Sequence, residues 1–424
     1  MSAESTCRRC DGPTAIKTRQ ANFCQPCFIT FIQQKQRKAM EGCKVLFARP
    51  GCVLPPAINI LVPISFGQSS LALLDMAHAQ LEEQAKTYEN AAGFTLNAVF
   101  IDCSEADPLE KEPNQIISEL EKRFAHAKFT CIPLSKAFEG ASSVTLKHNR
   151  DYTSFVSGIS EEPTSVQQLL SCIGTKSARE DIISVLQRHL IIEEAKKQNE
   201  SLPTTVAWGH NATRLAELTL SLTIKGRGNR IHAQVLEHKN PKDSISGLPE
   251  IHPLNDVLSY EIPFYNSFRN VSDLAVDTVS KPSQVTKNLS IDQLMHQYFE
   301  NIQTNFPSIA STVVRTAAKL DDPNAAKQGL TPCFICASPV DPNQSLAWLT
   351  NITVNEPAAP ETEEEEELSK KAHMEKSQEK TGDADRHLPV PNLCYGCIIT
   401  IRDTDSFTFP KRASKQDILD EFTL

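Results

Sequence analysis

Four Cys-x-x-Cys pairs punctuate this chain: Cys7/Cys10, Cys24/Cys27, Cys333/Cys336 and Cys394/Cys397. A tetrahedral metal site takes four soft thiolates, and two close pairs supply them. The first two pairs are separated by thirteen residues, a zinc-ribbon-like spacing. The last two lie far apart in sequence but are the only such pairs near the C-terminus. The pattern predicts two structural zinc clips, one at each end of a globular middle. The competing readings are reduced surface cysteines or redox dithiols. A redox dithiol belongs after a strand in a βαβ unit, and neither terminal pair sits there.

The 424 residues hold no N-terminal apolar run with a cleavage site and no apolar stretch of membrane-spanning length. Neither a signal peptide nor a membrane partner is expected. Thirteen cysteines without a secretion signal point to a reducing compartment and metal ligation, with the cytoplasm favoured and the nucleus as the alternative. The net charge of −9 is concentrated: residues 356–367 carry seven glutamates and no base, which leaves −2 for the remainder. Residues 1–52 carry nine Lys or Arg against three acids, a local +6 that four thiolates and one zinc ion lower to +4. A compact basic module on an acidic chain suggests contact with a nucleic-acid backbone, through Arg8, Arg9, Lys35, Arg37 and Lys38. The plainer reading is a solvated face.

Residues 1–52 read as a zinc-ribbon-like module with a helix that places Phe28, Phe31 and Ile32 on one face. Beyond it, apolar strand-like runs alternate with helical patterns. Strands are predicted over 57–63, 94–101, 129–134 and 204–208. Helices are predicted over 71–88, 114–126, 179–199 and 212–223, with further helical segments in 292–320 broken near Pro307. Alternation of this kind indicates an α/β fold with a mainly parallel sheet. The division expected is a module over 1–52, an α/β domain over 53–330, a C-terminal zinc module from 331–350 with 389–424, and a disordered acidic linker over 351–388.

Three segments are placed to carry chemistry. The loop Ser65-Phe66-Gly67-Gln68-Ser69-Ser70 follows the first strand and opens a helix, where backbone N–H groups and the helix dipole favour an anion. The same residues also suit simple helix capping by Ser69 or Ser70. Trp208-Gly-His-Asn-Ala-Thr-Arg214 sits at a later strand end, where His210 is compatible with capping or catalysis. Lys225-Gly-Arg227-Gly-Asn-Arg230 reads as a flexible basic loop, suited to phosphate or RNA backbone or to a solvated turn.

Together these pieces resemble the cytoplasmic tRNA 2-thiolation protein 2 family over nearly the whole chain. The stretches that carry the resemblance are Cys7–Cys10 with Cys24–Phe28 and the basic run after it, Ser65–Ser70, Ser177–Ile182, Gly209–Ala216, Lys225–Gly228, Pro253-Leu254 and Cys394–Cys397. That family is similar to PP-loop ATP pyrophosphatases, whose Ser-Gly-Gly-x-Asp-Ser loop holds nucleotide phosphates while ATP activates a uridine for attack by sulfur. The resemblance implies a PP-loop-like (adenine nucleotide alpha hydrolase-like) domain between the two zinc modules. It also implies a subunit that helps make 2-thiouridine at the wobble position of Lys, Glu and Gln tRNAs, with a paralogous catalytic subunit and a ubiquitin-like sulfur carrier as partners. Ser65, Gly67 and Ser70 match the loop, but Phe66 stands for a glycine and Ser69 for the aspartate. Phe66 adds bulk where the backbone should approach phosphate, and loss of the carboxylate removes a magnesium ligand. Cys172-Ile-Gly-Thr175 keeps one thiol where relatives have a pair, and Cys103 and Cys131 read as packing residues. The expectation is a degenerate nucleotide site, with ATP held weakly or only through the partner, no catalytic residue, and an RNA-facing surface of Arg8, Arg9, Lys35, Arg37, Lys38, Lys225, Arg227 and Arg230. The alternatives are an active ATP-dependent sulfurtransferase and a zinc-dependent interaction scaffold.

Overall fold

A computed structural model describes residues 6–41, 57–87, 93–107, 111–139, 142–148, 155–160, 165–276, 289–303, 305–322, 329–341, 362, 392–404 and 406–411. The expected acidic linker (apart from residue 362), Cys43 and Cys52 lie outside these residues. Two compact units emerge: residues 1–137 with 175–326, and residues 138–174 with 327–424.

The first unit is built on five strands: β3 (Ile58–Ile64), β4 (Phe94–Asp102), β5 (Ala127–Pro133), β8 (Thr204–Ala207) and β9 (Glu250–Ile251). They form one sheet in the order β5-β4-β3-β8-β9, with every neighbouring pair parallel. Helices α2 (Gln68–Thr87), α3 (Pro113–Arg123), α5 (Lys176–Asn199) and α6 (Ala212–Ile224) make the connections. β3 buries five of its seven residues and β4 six of its nine, as mainly apolar strands do when helices cover both faces. From β3 the chain runs outward through β4 and β5, then returns to pair β8 on the other side of β3. The reversal makes the gap between the ends of β3 and β8 the topological switch point, where such sheets place ligands. Asn59, 2 % exposed, ties the opposite end of the sheet to α5: its amide donates to Gln198 Oε1 (2.7 Å) and Thr204 Oγ1 (3.1 Å).

The N-terminal module belongs to this unit. It comprises the hairpin β1 (Ile16–Thr18) and β2 (Ala21–Phe23) and helix α1 (Gln25–Met40). Arg19 and Gln20 both have positive φ (48° and 65°), the two-residue turn that matches the twist of a tight hairpin. Phe23, Phe28 and Ile32 share one core with β3, β4 and helix α8 (Glu261–Arg269), and Phe28 meets Phe268 edge-on at 5.9 Å. Polar groups complete the join. Glu261, fully buried, accepts from Thr18 Oγ1 (2.7 Å), Arg19 Nε (3.1 Å) and the Leu258 amide (2.8 Å). Asp256 takes Arg19 Nη1 at 3.0 Å and Lys35 Nζ at 3.5 Å.

The short helix α7 (Ile231–Val235) turns back so that Ile231 and Val235 pack on Leu215 and Leu222 of α6. The helices α9 (Ile291–Gln303) and α10 (Ser308–Ala317) also pack on α6 and are divided at Pro307.

The second unit holds β6 (Ser142–His148), β7 (Phe155–Ser160) and β12 (Ser406–Lys411), an antiparallel sheet in the order β12-β6-β7. It also holds helix α4 (Val166–Ser171), which Ser165 caps by accepting from the Gln168 amide (3.2 Å), and the two-residue strands β10 (Thr331–Pro332) and β11 (Pro339–Val340). Residues 138–174 therefore group with the C-terminal module, whereas the sequence reading keeps them inside the α/β domain.

Candidate metal centres and switch-point site

The two four-cysteine sets are assembled in the same way. Each begins with a knuckle: Cys7 and Cys333 open a turn whose residue four positions on, Asp11 or Ala337, has positive φ (56° and 58°). The Asp11 amide donates to the Cys7 carbonyl (3.1 Å) and the Ala337 amide to the Cys333 carbonyl (2.9 Å). Each set ends on a helix start. Cys24 is the N-cap of α1, and Cys394 is the N-cap of α11 (Tyr395–Ile401), which puts Cys27 and Cys397 in first turns where the dipole favours thiolates. In each set the four Sγ atoms lie within 4.8 Å of one another. Cys10 and Cys24 are 3.4 Å apart, and Cys336 and Cys394 3.6 Å. A tetrahedron with bonds of ~2.3 Å has edges of ~3.8 Å, so both sets fit one tetrahedral ion. Without a cation the thiols interact strongly: N–H groups led by that of Cys24 hold Cys7 down at about 6, while the Cys24 and Cys10 thiols push Cys27 up to about 12. Among the described residues these are the two groupings of three or more ligand-bearing side chains close enough to share a metal.

At the switch point the loop after β3 bonds to its own surroundings. Phe66 has φ of 59°, a left-handed conformation costing a bulky residue about 1–2 kcal/mol. Its ring is fully buried and stacks on Phe100 at 4.2 Å. Burying a phenylalanine contributes about 1.5–3 kcal/mol, enough to hold that conformation. The ring therefore points into the core, not into the path of a phosphate as the sequence suggests. Helix α2 begins at Gln68, so Ser69 and Ser70 lie in its first turn and not at its cap. Ser70 Oγ donates to the Gly67 carbonyl (3.0 Å) and faces the Ser65 amide (3.4 Å). Ser69 Oγ accepts from Asn211 Nδ2 (2.9 Å), and Asn266 Nδ2 donates to both the carbonyl and the side-chain oxygen of Gln68. A Cβ on Gly209 would stand 3.1 Å from Ser70 Cα, which shows how closely the second loop closes on the first. The loop thus presents no carboxylate for magnesium, and the Ser69 and Ser70 hydroxyls are engaged within the protein, while Ser65 is exposed. These residues do not fit an intact triphosphate cradle.

Asn211, not His210, caps α6, accepting from the Arg214 amide (2.8 Å). His210 stacks between Trp208 (5.8 Å) and His252 (5.4 Å). Trp208 donates to Glu250 Oε2 (2.9 Å), and Arg188 pairs with the same oxygen at 2.6 Å. No local signal marks this cluster, because its members are 188, 208, 210, 250 and 252 and meet only when β9 joins the sheet. His252 is 2 % exposed, and burial holds its imidazole down at about 4 against the pull of Glu250. A histidine kept neutral in this way stabilises the fold fully above the unfolded value near 6.5, and that stability is lost as pH falls through the window down to about 4. At ~1.4 kcal/mol per pH unit, His252 alone is expected to cost about 3 kcal/mol of stability by pH 4. Urea titrations at pH 7 and pH 4.5 check this; a His252→Gln variant that keeps the full wild-type pH dependence would assign it elsewhere.

The basic residues divide. Arg8, Arg9 and Lys38 are exposed, and Arg9 lies 6.0 Å over the Phe31 ring while bonding to Gln34. Arg37 pairs with Glu83. Four residues expected to face RNA instead face the interior. Lys35 is held by Asp256 and Glu261. Lys225 bridges Asp181 (2.8 Å) and Asp292 (2.7 Å), Arg227 reaches Asp181 at 3.3 Å, and Arg227 and Arg230 are 2 % and 6 % exposed. The 225–230 segment is an internal ion-pair clasp joining α5, α6 and α9, not a flexible basic loop. The two carboxylates that claim Lys225 lie 44 and 67 residues away. Among the thiols, Cys103 accepts from Gln187 Nε2 (3.1 Å) and burial pushes it up to about 11, while burial also raises Cys131. Neither is primed as a nucleophile. Cys172 is exposed and belongs to the second unit.

Known proteins accord with this geometry. A relative from Scheffersomyces stipitis named cytoplasmic tRNA 2-thiolation protein 2 is 33% identical over all of this chain and 96% of its own length. The chain belongs to the cytoplasmic tRNA 2-thiolation protein 2 family. The model of that family matches residues 290–399, and a relative of the same name from Saccharomyces cerevisiae is 30% identical over 93% of this chain and 90% of its own length. A solved structure, described as U34-tRNA thiolase NcsA from Methanococcus maripaludis with its [4Fe-4S] cluster, superposes with a TM-score of 0.51 at 16% identity, covering 84% of this chain and 99% of its own. That likeness shows the fold, a PP-loop α/β architecture. No helix among the described residues is long and apolar enough to cross a membrane.

Proposed function

We propose that this chain is the non-catalytic, tRNA-gripping subunit of the cytoplasmic complex that makes 2-thiouridine at the wobble position of Lys, Glu and Gln tRNAs. It works beside a paralogous PP-loop subunit that keeps the nucleotide site, with sulfur delivered by a ubiquitin-like carrier and with zinc in each four-cysteine set. Family membership supports the process and the compartment. The observation that carries the non-catalytic part is the loop after β3: Ser69 and Ser70 bond within the protein, and no carboxylate stands among residues 65–70. An active ATP-dependent sulfurtransferase would need those groups directed outward.

On this reading the chain contributes surface and not chemistry. Arg8, Arg9 and Lys38 are exposed cations suited to RNA phosphate, whereas the Phe31 ring is occupied by Phe23, which stacks on it at 4.9 Å, and by Lys35 Nζ at 4.3 Å. Lys35, Lys225, Arg227 and Arg230 serve the fold instead. Charge reversal at Arg8 and Arg9 is expected to weaken tRNA binding by the complex at least about tenfold and to flatten its salt dependence by about one phosphate contact per residue. Reversal of exposed Lys122 on α3 should change neither. Filter binding across a salt series measures both. Unchanged affinity and slope in the Arg8 and Arg9 variants would remove these arginines from RNA recognition.

A further inference from the structure

The two four-cysteine sites share a construction but differ in access. Cys333, Cys336, Cys394 and Cys397 are 2, 8, 5 and 0 % exposed. At the other end Cys7 is buried, Cys24 and Cys27 are half-buried and Cys10 is exposed. Cys10 Sγ stands 3.4 Å from Cys24 Sγ, a small adjustment from the ~2.05 Å of a disulfide. The hairpin between the two cysteine pairs is also the one whose tip, Thr18 and Arg19, engages Glu261.

We infer that the N-terminal four-cysteine site is an oxidant-sensitive clamp: hydrogen peroxide joins Cys10 to Cys24, expels the divalent metal and frees the β1–β2 hairpin from Glu261, while the closed C-terminal site stays intact. Cys10 Sγ attacks one peroxide oxygen, the O–O bond breaks, and a sulfenic acid and hydroxide form. The Cys24 thiolate then displaces hydroxide from the sulfenic sulfur and closes the S–S bond. The two sulfurs lose two electrons, peroxide gains them, and two solvent protons turn both hydroxides into water. The metal, left with Cys7 and Cys27, departs as the aqua ion. The inference rests on the reading that each four-cysteine set holds a divalent metal, and it is independent of RNA binding.

The test uses the full chain as purified. Elemental analysis comes first, with two metal ions per chain expected; a preparation without metal at Cys7–Cys27 removes the metal reading and the inference with it. Peroxide is then added, metal release is followed with a colorimetric chelator, and thiols are mapped by alkylation and mass spectrometry. One ion is expected to leave about tenfold or more faster than the other. A Cys10–Cys24 disulfide should appear with it, together with faster amide exchange over residues 16–23, all reversed by dithiothreitol and zinc. A Cys336→Ser chain, carrying only the N-terminal ion, should release it at the wild-type rate. Simultaneous loss of both ions, earlier loss from the C-terminal site, or a Cys10–Cys24 disulfide with unchanged exchange over 16–23 would each overturn the inference while leaving the metal reading in place.

Discussion

Cys397→Ser is expected to release one metal ion and unfold the C-terminal cysteine knuckle while the α/β unit stays folded. Cys397 is fully buried in the first turn of α11, and the knuckle strands beside it are too short to hold without the metal. β10 and β11 contribute only two residues each. Structural zinc of this type is worth about 10–16 kcal/mol of apparent binding free energy, which is folding free energy when the apo site does not form. A serine hydroxyl does not replace the thiolate. Hydrogen exchange should show loss of protection over 331–340 and 395–401, with β3 and β4 unchanged, and elemental analysis should fall by one ion. Full metal content in the variant would contradict the assignment of Cys397 as a ligand.

Glu261→Ala is the second large effect. The carboxylate is fully buried and serves Thr18, Arg19 and the Leu258 amide at once, with Lys35 Nζ 3.9 Å away. Removing it leaves the Leu258 amide without an acceptor and takes the buried carboxylate from Arg19 and the nearly buried Lys35 ammonium, which keep only the half-exposed Asp256, a change that costs about 3–5 kcal/mol. Arg19, partly exposed, can regain water, which favours the lower end of that range. Asp256→Ala is the comparison: its side chain is 48 % exposed, so a loss below about 1 kcal/mol is expected. Urea denaturation with hydrogen exchange over the hairpin measures both. Equal effects from the two substitutions would show that burial of Glu261 is not what fastens the module.

Local signals in the sequence are sufficient for most of the α/β unit. The apolar run at 57–63 is β3 (Ile58–Ile64), and the helical pattern after it is α2 (Gln68–Thr87). The break at Pro307 falls between α9 and α10. Strong periodicity and backbone chemistry decide such elements within a few residues. The four Cys-x-x-Cys pairs likewise converge as two sets because the spacing itself is the constraint. What local reading misses is settled by distant partners. β6 and β7 escape it because their sheet is completed by β12, roughly 260 residues on. Lys225 and Arg227 look like free cations until α5 and α9 bring Asp181 and Asp292 to them. Phe66 is legible as a departure from glycine, but its side-chain direction depends on Phe100, one strand away. The clamp between Arg19 and Glu261 spans 242 residues and leaves no local trace.

The division of labour proposed here is tested most directly by assaying ATP-dependent thiolation of wobble uridine with the purified chain, alone and after adding the proposed paralogous PP-loop subunit. Retarded migration of tRNA in mercury-containing gels reports the thiolated product. Thiolated tRNA is predicted only in the reconstituted reaction; robust thiolation by the isolated chain would contradict the account.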